Sequence, residues 1–291
     1  LHPVAHSFPT RRSSDLGLRV ALAGKVGPDE FGSKYADELS ARSIRSYLRT
    51  GVQPTGSSII LVTPDHERTM NTFLGANREF GPADLDLSAL DSSRVLYFTG
   101  HMWDTEPQKA AVREALAAAQ TAGATVVFDC ADPFAVNRYR DEFLPLLSEY
   151  VDVVFANREE ARLLFGTETP EDAVPRFLER VSLCAVKAGK RGSFIGVRDG
   201  GVAHVPTFSA RVVDTTGAGD MYAAGFLYGL LSGTAPALCG GMASYAAARI
   251  VEQKGSQLSP TRAAELRTVL EEIRHSGELP DGHGDADHPP A

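Results

Sequence analysis

A turn that leads into an apolar helix carries the residues in this chain that are best suited to chemistry. Residues 214–220 read D-T-T-G-A-G-D, and an apolar run follows them as far as Leu231. The preceding β-branched pair, Val212–Val213, predicts the end of a strand, and the apolar run predicts a helix. The pattern therefore predicts a strand, a tight turn and a helix in succession.

The small residues of this turn predict an anion site. Gly217, Ala218 and Gly219 leave the first N–H groups of the helix unshielded, and these donors lie at the positive end of the helix dipole. A carboxylate at Asp220 would repel an anion, but it is explained if it accepts a proton from a hydroxyl group that attacks a bound phosphate. The structural alternative is a tight glycine turn followed by an acidic residue in the first helical turn.

The full string D-T-T-G-A-G-D, running into a helix of small residues, resembles the C-terminal signature of the PfkB (ribokinase-like) family of sugar and nucleoside kinases. The resemblance extends from residue 17 to about residue 275. It implies an α/β ribokinase-like fold, with a mainly parallel sheet, helices on both faces and a small β lid that is incomplete here. It also implies an ATP- and Mg²⁺-dependent kinase in which Asp220 accepts the proton of an alcohol and the N–H groups of residues 217–219 hold the developing charge.

Composition fits such an enzyme. The chain has 291 residues, 43% of them hydrophobic, which suffices for one large domain, and its net charge of −8 argues against nucleic-acid or anionic-membrane partners. Three widely spaced cysteines suit a reduced, cytoplasmic protein better than a disulfide scaffold. We expect a small-molecule nucleoside or sugar as partner, no membrane association, and a monomer or a homodimer.

Apolar strands alternate with helices in the middle of the chain. Such alternation predicts a parallel sheet covered on both faces, with polar residues gathered at the carboxyl ends of its strands. The polar residues and glycines at these ends are Asp129, Asn157, Gly189 and Asp214.

Two of these strand ends resemble nucleotide-binding motifs of the family. Asn157 and Glu160 carry its N-x-x-E pattern, which implies Mg²⁺ and nucleotide binding through water; the alternative is a helix N-cap with acidic residues in its first turn. Lys187, Gly189 and Gly192 resemble the T-x-G-x-x-G segment that lies along the nucleotide phosphates, with Lys187 where the family often has threonine.

A monovalent cation is a further implication of the resemblance. Asp214 and Thr216 correspond to residues at which K⁺ would bind, and Thr216 is also expected to lie against the nucleotide.

A hairpin at about residues 53–76 corresponds to the lid, and its sequence resembles that of the adenosine-kinase-like branch of the family. Arg68 and Asn71 are candidate substrate-binding residues; Arg68 would face the transferred phosphate or lie solvated on the lid. Phe73 and Trp103 are either stacking surfaces for a base or core residues. We therefore expect an adenosine kinase, with a ribokinase or fructokinase as one alternative and an inactive nucleotide-binding fragment as another.

The two ends of the chain do not resemble the family. Residues 6–16, H-S-F-P-T-R-R-S-S-D-L, match the translation of a common sequencing-library adapter, so we interpret residues 1–16 as a non-native leader; a short disordered or transit-like leader is the alternative. The kinase domain is expected over residues 17–275, without the family's first strand, part of its lid, its acceptor-binding aspartate and its Gly-Gly…Asn motif. The tail, residues 276–291, is rich in Gly, Pro and Asp and is predicted to be disordered.

Overall fold

The computed structural model describes residues 9–62 and 68–282. The α-helices of these residues are α1 (Pro9–Asp15), α2 (Glu30–Ala41), α3 (Glu106–Ala122), α4 (Pro133–Tyr150), α5 (Arg158–Phe165), α6 (Pro170–Leu178), α7 (Ala218–Leu231), α8 (Pro236–Ile250) and α9 (Pro260–Ser276). The strands are β1 (Ala21–Val26), β2 (Arg45–Thr50), β3 (Ser57–Val62), β4 (Arg68–Phe73), β5 (Val95–Thr99), β6 (Thr125–Asp129), β7 (Val153–Asn157), β8 (Leu183–Lys187), β9 (Ser193–Val197) and β10 (Gly201–Val205). Short 3₁₀ helices lie at Gly75–Glu79, Pro82–Asp84, Leu87–Leu90, Gly100–Trp103 and Gly189–Arg191.

A six-stranded sheet, in the order β10-β9-β8-β7-β6-β5, forms the centre of the molecule. Strands β5 to β8 are parallel to one another, and β9 and β10 are antiparallel additions at one side. The parallel strands are apolar almost throughout because helices cover both faces of the sheet. The predicted mainly parallel sheet with helices on both faces is confirmed.

Alternate residues of the four parallel strands enter two different cores. One face packs against α3, α4, α5 and α6 through residues such as Phe128 and Phe143. The other face packs against α7 and α8, where the rings of Phe155 and Phe226 lie 5.2 Å apart between centroids. Helix α7 is thereby fixed against the sheet, with its N-terminus near the carboxyl ends of the parallel strands.

Local sequence signals set the ends of helix α3. The Thr105 hydroxyl accepts a hydrogen bond from the N–H of Gln108, whose side chain accepts one from the Thr105 N–H in return. Pro107 lies in the first turn, and Gly123 closes the helix at a φ of 70°. Pro107 and Gly123 therefore mark the start and the end of this helix, as a proline in the first turn and a glycine after the last turn predict.

Two small sheets lie apart from the central one. Strands β1 and β2 pair in parallel, and β3 pairs with β4 as the predicted antiparallel hairpin, which is called the lid hairpin below after its expected role. The apolar run at residues 18–23 predicts a strand, but β1 begins only at Ala21, because the N–H groups of Gly17 and Leu18 donate to the last turn of α1.

The predicted strand end at Val212–Val213 is wrong. Both side chains are exposed, and the segment contains no strand among the described residues. The N–H of Val213 donates to the carbonyl of Val251, 2.8 Å away, so the segment is tethered beyond the end of α8 instead of joining a sheet. A β-branched pair extends the backbone locally, but a strand also requires a neighbouring backbone to pair with.

Both terminal segments make contacts with the helices. Residues 9–15 form α1, and the following Leu16 is buried in a third cluster with residues of α7, α8 and α9. In the tail, Leu279 lies so close to Gly241 that a Cβ there would meet its side chain at 2.5 Å. Residues 283–291 of the predicted tail lie outside the described residues.

Candidate active site

The N-terminus of α7 is formed by the turn that the sequence singled out. Gly217 caps the helix at a φ of 80°, a conformation that side chains disfavour. The N–H of Ala218 donates to the Thr215 carbonyl at 3.2 Å, and the helix proper begins there. Asp220 lies in the first turn, as the string predicts. The turn therefore presents a carboxylate directly beside the positive end of a 14-residue helix.

Asp214 ties this turn to a second loop. Its Oδ1 accepts hydrogen bonds from the backbone N–H and the hydroxyl of Thr216, at 2.9 and 2.7 Å, and its Oδ2 accepts one from the N–H of Gly255 at 2.9 Å. These hydrogen bonds give Asp214 and Thr216 a structural role, which is to hold the turn before α7 against the loop at Gly255. The monovalent cation at these two residues stays a prediction.

Asn157 and Glu160 form a capping box at the start of α5. The Asn157 side chain accepts from the Glu160 N–H at 2.9 Å, while the two Glu160 oxygens accept from the N–H and the Nδ2 of Asn157, each at 2.7 Å. Glu160 is 1% exposed, and burial raises its pKa to about 7. The alternative structural role of these residues is thus present in the fold; their Mg²⁺ role stays a prediction.

Lys187 links the sheet to the N-terminus of α7. Its ammonium lies 3.6 Å from Oδ1 of Asp129. A Cβ placed on Gly219 would lie only 3.8 Å from that ammonium. The Asp129 Oδ2 accepts a hydrogen bond from the hydroxyl of Tyr97 at 2.9 Å. A cation is therefore held beside the predicted anion site by a buried carboxylate.

The turn after β8 requires glycine at one of its two predicted positions. A Cβ on Gly192, at a φ of 85°, would lie 2.0 Å from the carbonyl oxygen of Val205. Gly189, at a φ of 60°, has open space where a Cβ would lie. Gly192 is consequently explained by the packing of β10, whereas Gly189 is explained by backbone conformation alone.

The lid hairpin shows one apolar face. Ile59, Leu61 and Phe73 are exposed on the same side of β3 and β4, together with the exposed Asn71, which pairs with Ile59. Arg68 begins β4, but its side chain lies outside the described ones. The hairpin therefore presents Asn71 on an apolar surface that has no cover among the described residues.

Trp103 belongs to the core. It is 1% exposed, its ring packs edge-on against Phe143, and its Nε1 donates to Glu142 at 2.9 Å. Of the two aromatic residues considered for stacking, only Phe73 lies on an exposed surface.

Helix α1 brings an arginine to the back of the α7 turn. The Arg12 side chain is fully buried, and a Cβ on Gly217 would lie 3.0 Å from its Nη2. None of its three guanidinium nitrogens has a hydrogen-bond partner among the described residues. Burial lowers the pKa of Arg12 to about 10, although the charges of Asp220 and Asp15 oppose this fall.

Sequence reasoning missed two residues of this region, Arg12 and Tyr97, and gave no specific role to a third, Asp129. Arg12 was excluded together with the leader, and Tyr97 sits inside an apolar strand with no local signal. Asp129 was recognisable only as a polar strand end. Within the described segments, no group of three or more His, Cys, Asp or Glu side chains converges as a metal site, and none of the helices there has the length and apolar character needed to cross a bilayer.

Comparison with known proteins identifies the family. Residues 10–263 match the model of the pfkB family of carbohydrate kinases. The chain belongs to this family. The match to the pfkB family begins within the segment interpreted as a leader and ends in α9.

Individual pfkB-family proteins resemble the chain over most of its length. An adenosine kinase from Sinorhizobium meliloti is 37% identical, with a TM-score of 0.83, over 89% of this chain and 80% of that one. A probable sugar kinase protein from Rhizobium etli CFN 42 is 33% identical, with a TM-score of 0.84, over 92% and 80%. A 5-dehydro-2-deoxygluconokinase from Shouchella clausii is 28% identical, over 89% of this chain and 83% of its own length. The chain therefore has the ribokinase-like fold of a carbohydrate or nucleoside kinase.

Proposed function

We propose that the chain transfers a phosphoryl group from ATP to the 5′-hydroxyl of adenosine, with Asp220 as the residue that accepts the hydroxyl proton. The observation that carries the chemistry is the position of Asp220 in the first turn of α7, beside a glycine-capped helix N-terminus. The ammonium of Lys187 lies near the same N-terminus, beside Gly219. An acceptor hydroxyl placed beside Asp220 would lose its proton to the carboxylate while it attacks a phosphoryl group held by the helix.

Phosphoryl transfer depends on positioning and on neutralising charge more than on a strong base. The transition state is loose, and its charge is spread over the equatorial oxygens of the transferred group. The N–H groups at residues 217–219 and the ammonium of Lys187 would be the donors that stabilise such charge, with the N–H of Ala218 shared with the Thr215 carbonyl. Asp220 supplies the general base, a contribution of about 10²–10⁴-fold.

The donor set at the start of α5 fits Mg²⁺. Mg²⁺ is usually bound by one or two carboxylates, waters and substrate phosphates. Glu160 supplies a carboxylate in the first turn of α5, directly after β7, and Asn157 orients it. When bound, Mg²⁺ would neutralise phosphate charge; Glu160 and Asn157 would hold it through water. K⁺ at Asp214 and Thr216 would complete the set of ions.

Two observations support adenosine as the acceptor. The sequence of the lid hairpin resembles the adenosine-kinase-like branch, and the chain is 37% identical to the Sinorhizobium meliloti adenosine kinase. A place in purine salvage follows from that substrate. The exposed apolar face of the lid, with Phe73 and Asn71, would suit an aromatic base that also forms hydrogen bonds. Arg68, on the same hairpin, would face the transferred phosphate.

A sugar kinase is the second candidate. It is favoured by the 5-dehydro-2-deoxygluconokinase and the probable sugar kinase among the relatives. A third possibility is a non-catalytic domain that binds nucleotide only. Three buried free cysteines, Cys130, Cys184 and Cys239, further support a reduced, cytoplasmic setting for any of these functions.

A coupled assay of ADP release decides among these functions. The 291-residue chain, ATP and Mg²⁺ would be tested with adenosine, ribose, fructose and 5-dehydro-2-deoxygluconate in parallel. Adenosine is expected to give the highest kcat/KM. A strong preference for any of the sugars would establish the second candidate. ATP binding by calorimetry without turnover of any acceptor would establish the third.

A further inference from the structure

A row of three polar side chains runs from β5, an edge strand of the central sheet, to the N-terminus of α7. The Tyr97 hydroxyl, on β5, donates to Oδ2 of Asp129, and Oδ1 of Asp129 faces the ammonium of Lys187 at 3.6 Å. That ammonium lies 3.8 Å from the position of a Cβ on Gly219. This row of side chains therefore ends where the phosphate groups of a nucleotide would contact the N-terminus of α7.

Both oxygens of the Asp129 carboxylate accept hydrogen bonds from groups of the protein. Asp129 ends β6, and its side chain is 6% exposed. Its Oδ1 also accepts the N–H of Ala131 at 3.1 Å, and that residue has the unusual φ of 62°. Since both oxygens have fixed donors, the carboxylate can turn only if these bonds break. Its orientation is set by the fold before any ligand arrives.

The ammonium is less constrained than the carboxylate. The Lys187 side chain is 20% exposed, and its distance to Asp129 is longer than that of a tight charge-assisted hydrogen bond. A buried ion pair contributes little net stability, because the cost of desolvating both charges offsets their attraction. An ammonium that points toward a helix N-terminus, itself positive, is explained better by an anionic ligand than by stability.

The charges around the ammonium keep it protonated. Burial lowers the pKa of Lys187, but the carboxylates of Asp129 and Glu160 outweigh burial and hold that pKa above its ordinary value. The other titratable groups that face it are Tyr222 and Cys130, whose own pKa values burial raises, so both stay neutral near pH 7. Lys187 is therefore a permanent cation in this site.

We propose that Asp129 and Tyr97 are positioning residues, which aim the Lys187 ammonium at the phosphate groups of the bound nucleotide. This inference rests on the proposed function, in that the ligand is a nucleotide whose terminal phosphate lies at the N-terminus of α7. Asp129 sets the orientation of the Lys187 side chain, because its fixed Oδ1 holds the ammonium by charge attraction. Tyr97 acts one step further away by holding Oδ2. No covalent bond forms or breaks in this role.

A double-mutant cycle tests the proposal. The affinity for a non-hydrolysable ATP analogue with Mg²⁺ would be measured by calorimetry for the wild type, Asp129→Asn, Lys187→Met and the double variant. Each single substitution is expected to weaken binding at least about tenfold, and the double variant should bind no more weakly than Lys187→Met. This non-additivity identifies a residue that acts through Lys187. Additive losses, or no loss in Asp129→Asn, would overturn the proposal.

A second, milder variant tests the same proposal if Asp129→Asn does not fold. Tyr97→Phe removes only the hydroxyl, and it should weaken analogue binding about threefold in the wild type and not at all in Lys187→Met. If Asp129→Asn fails to fold, this pair of measurements decides alone, and equal losses in both backgrounds would refute the proposal. The binding cycle does not depend on turnover. A wild type that binds the analogue but phosphorylates no acceptor would contradict the proposed function and leave the positioning role to be judged by the cycle.

Discussion

Replacing Arg12 by methionine should make the protein more stable. Arg12 is fully buried in α1, and its guanidinium lacks a hydrogen-bond partner among the described residues. A buried charge without hydrogen bonds is among the costliest features that a fold can contain. Methionine has a similar length and no charge, so Arg12→Met keeps most of the packing and removes the cost.

The size of the effect follows from the pKa of the guanidinium. Burial lowers it from 12.5 to about 10, and at about 1.36 kcal/mol for each pKa unit the fall corresponds to about 3 kcal/mol. Because the folded-state pKa of this base is depressed, the cost is present in full at every pH below about 10 and disappears only as the pH rises toward 12.5. We expect Arg12→Met to raise the free energy of unfolding by about 2–3 kcal/mol at pH 7.5. Arg12→Ala should gain less, since it loses the buried methylenes, each worth about 0.8 kcal/mol.

Arg11 provides a matched control on the same helix. It is also buried, and its Nε lacks a hydrogen-bond partner among the described residues, but its Nη2 donates to Glu38 at 2.5 Å, and the Glu38 side chain is about half exposed. Arg11→Met therefore removes a compensated charge, and it should change stability by no more than about 1 kcal/mol. Urea unfolding followed by circular dichroism measures all three variants. The reasoning is refuted if Arg12→Met unfolds at the same or a lower urea concentration than the wild type.

Three further predictions concern other parts of the molecule. Gly192→Ala should destabilise the protein by at least about 2 kcal/mol in urea unfolding, whereas Gly189→Ala, where a Cβ meets open space, should cost about 1 kcal/mol; equal losses would contradict the packing argument. The buried cysteines should be unreactive toward a thiol reagent until the protein unfolds, since burial raises the pKa of Cys184, for example, to about 12; fast labelling of the native protein would contradict this. Ile59→Lys, on the exposed face of the lid, should raise the KM for the acceptor severalfold without lowering the melting temperature, and an unchanged KM would argue against acceptor binding on that face.

Much of the fold could be predicted because its signals are local. The ends of α3 follow from a capping box and a glycine. The turn residues Asp199–Gly201 predict a hairpin with arms at 193–198 and 202–206, and β9 and β10 lie within one residue of these arms. The parallel sheet follows from strands that are apolar throughout. By contrast, Val212–Val213 satisfies the local preference for a strand, but whether a partner backbone lies beside it depends on long-range packing that no local pattern encodes.

The candidate site was predictable in its motifs and not in its contacts. Asp220 lies beside a glycine-capped helix N-terminus, as the string implies, and Lys187 faces that helix. The bond between Tyr97 and Asp129 joins residues from different strands, and only the sheet order reveals it. The burial of Arg12 was equally out of reach, because a run of Arg and Ser carries no apolar period from which a packed helix could be predicted.

Turnover of the Asp220→Asn variant tests the central claim most directly. The amide keeps the shape of the side chain but cannot accept the hydroxyl proton. With the acceptor that the wild type phosphorylates best, kcat should fall at least about 10²-fold while the affinity for ATP is retained. Asp199→Asn, the same substitution on the exposed β9–β10 turn, should leave kcat unchanged. An Asp220→Asn variant that keeps more than about a tenth of the wild-type kcat would contradict the assignment of Asp220 as the general base.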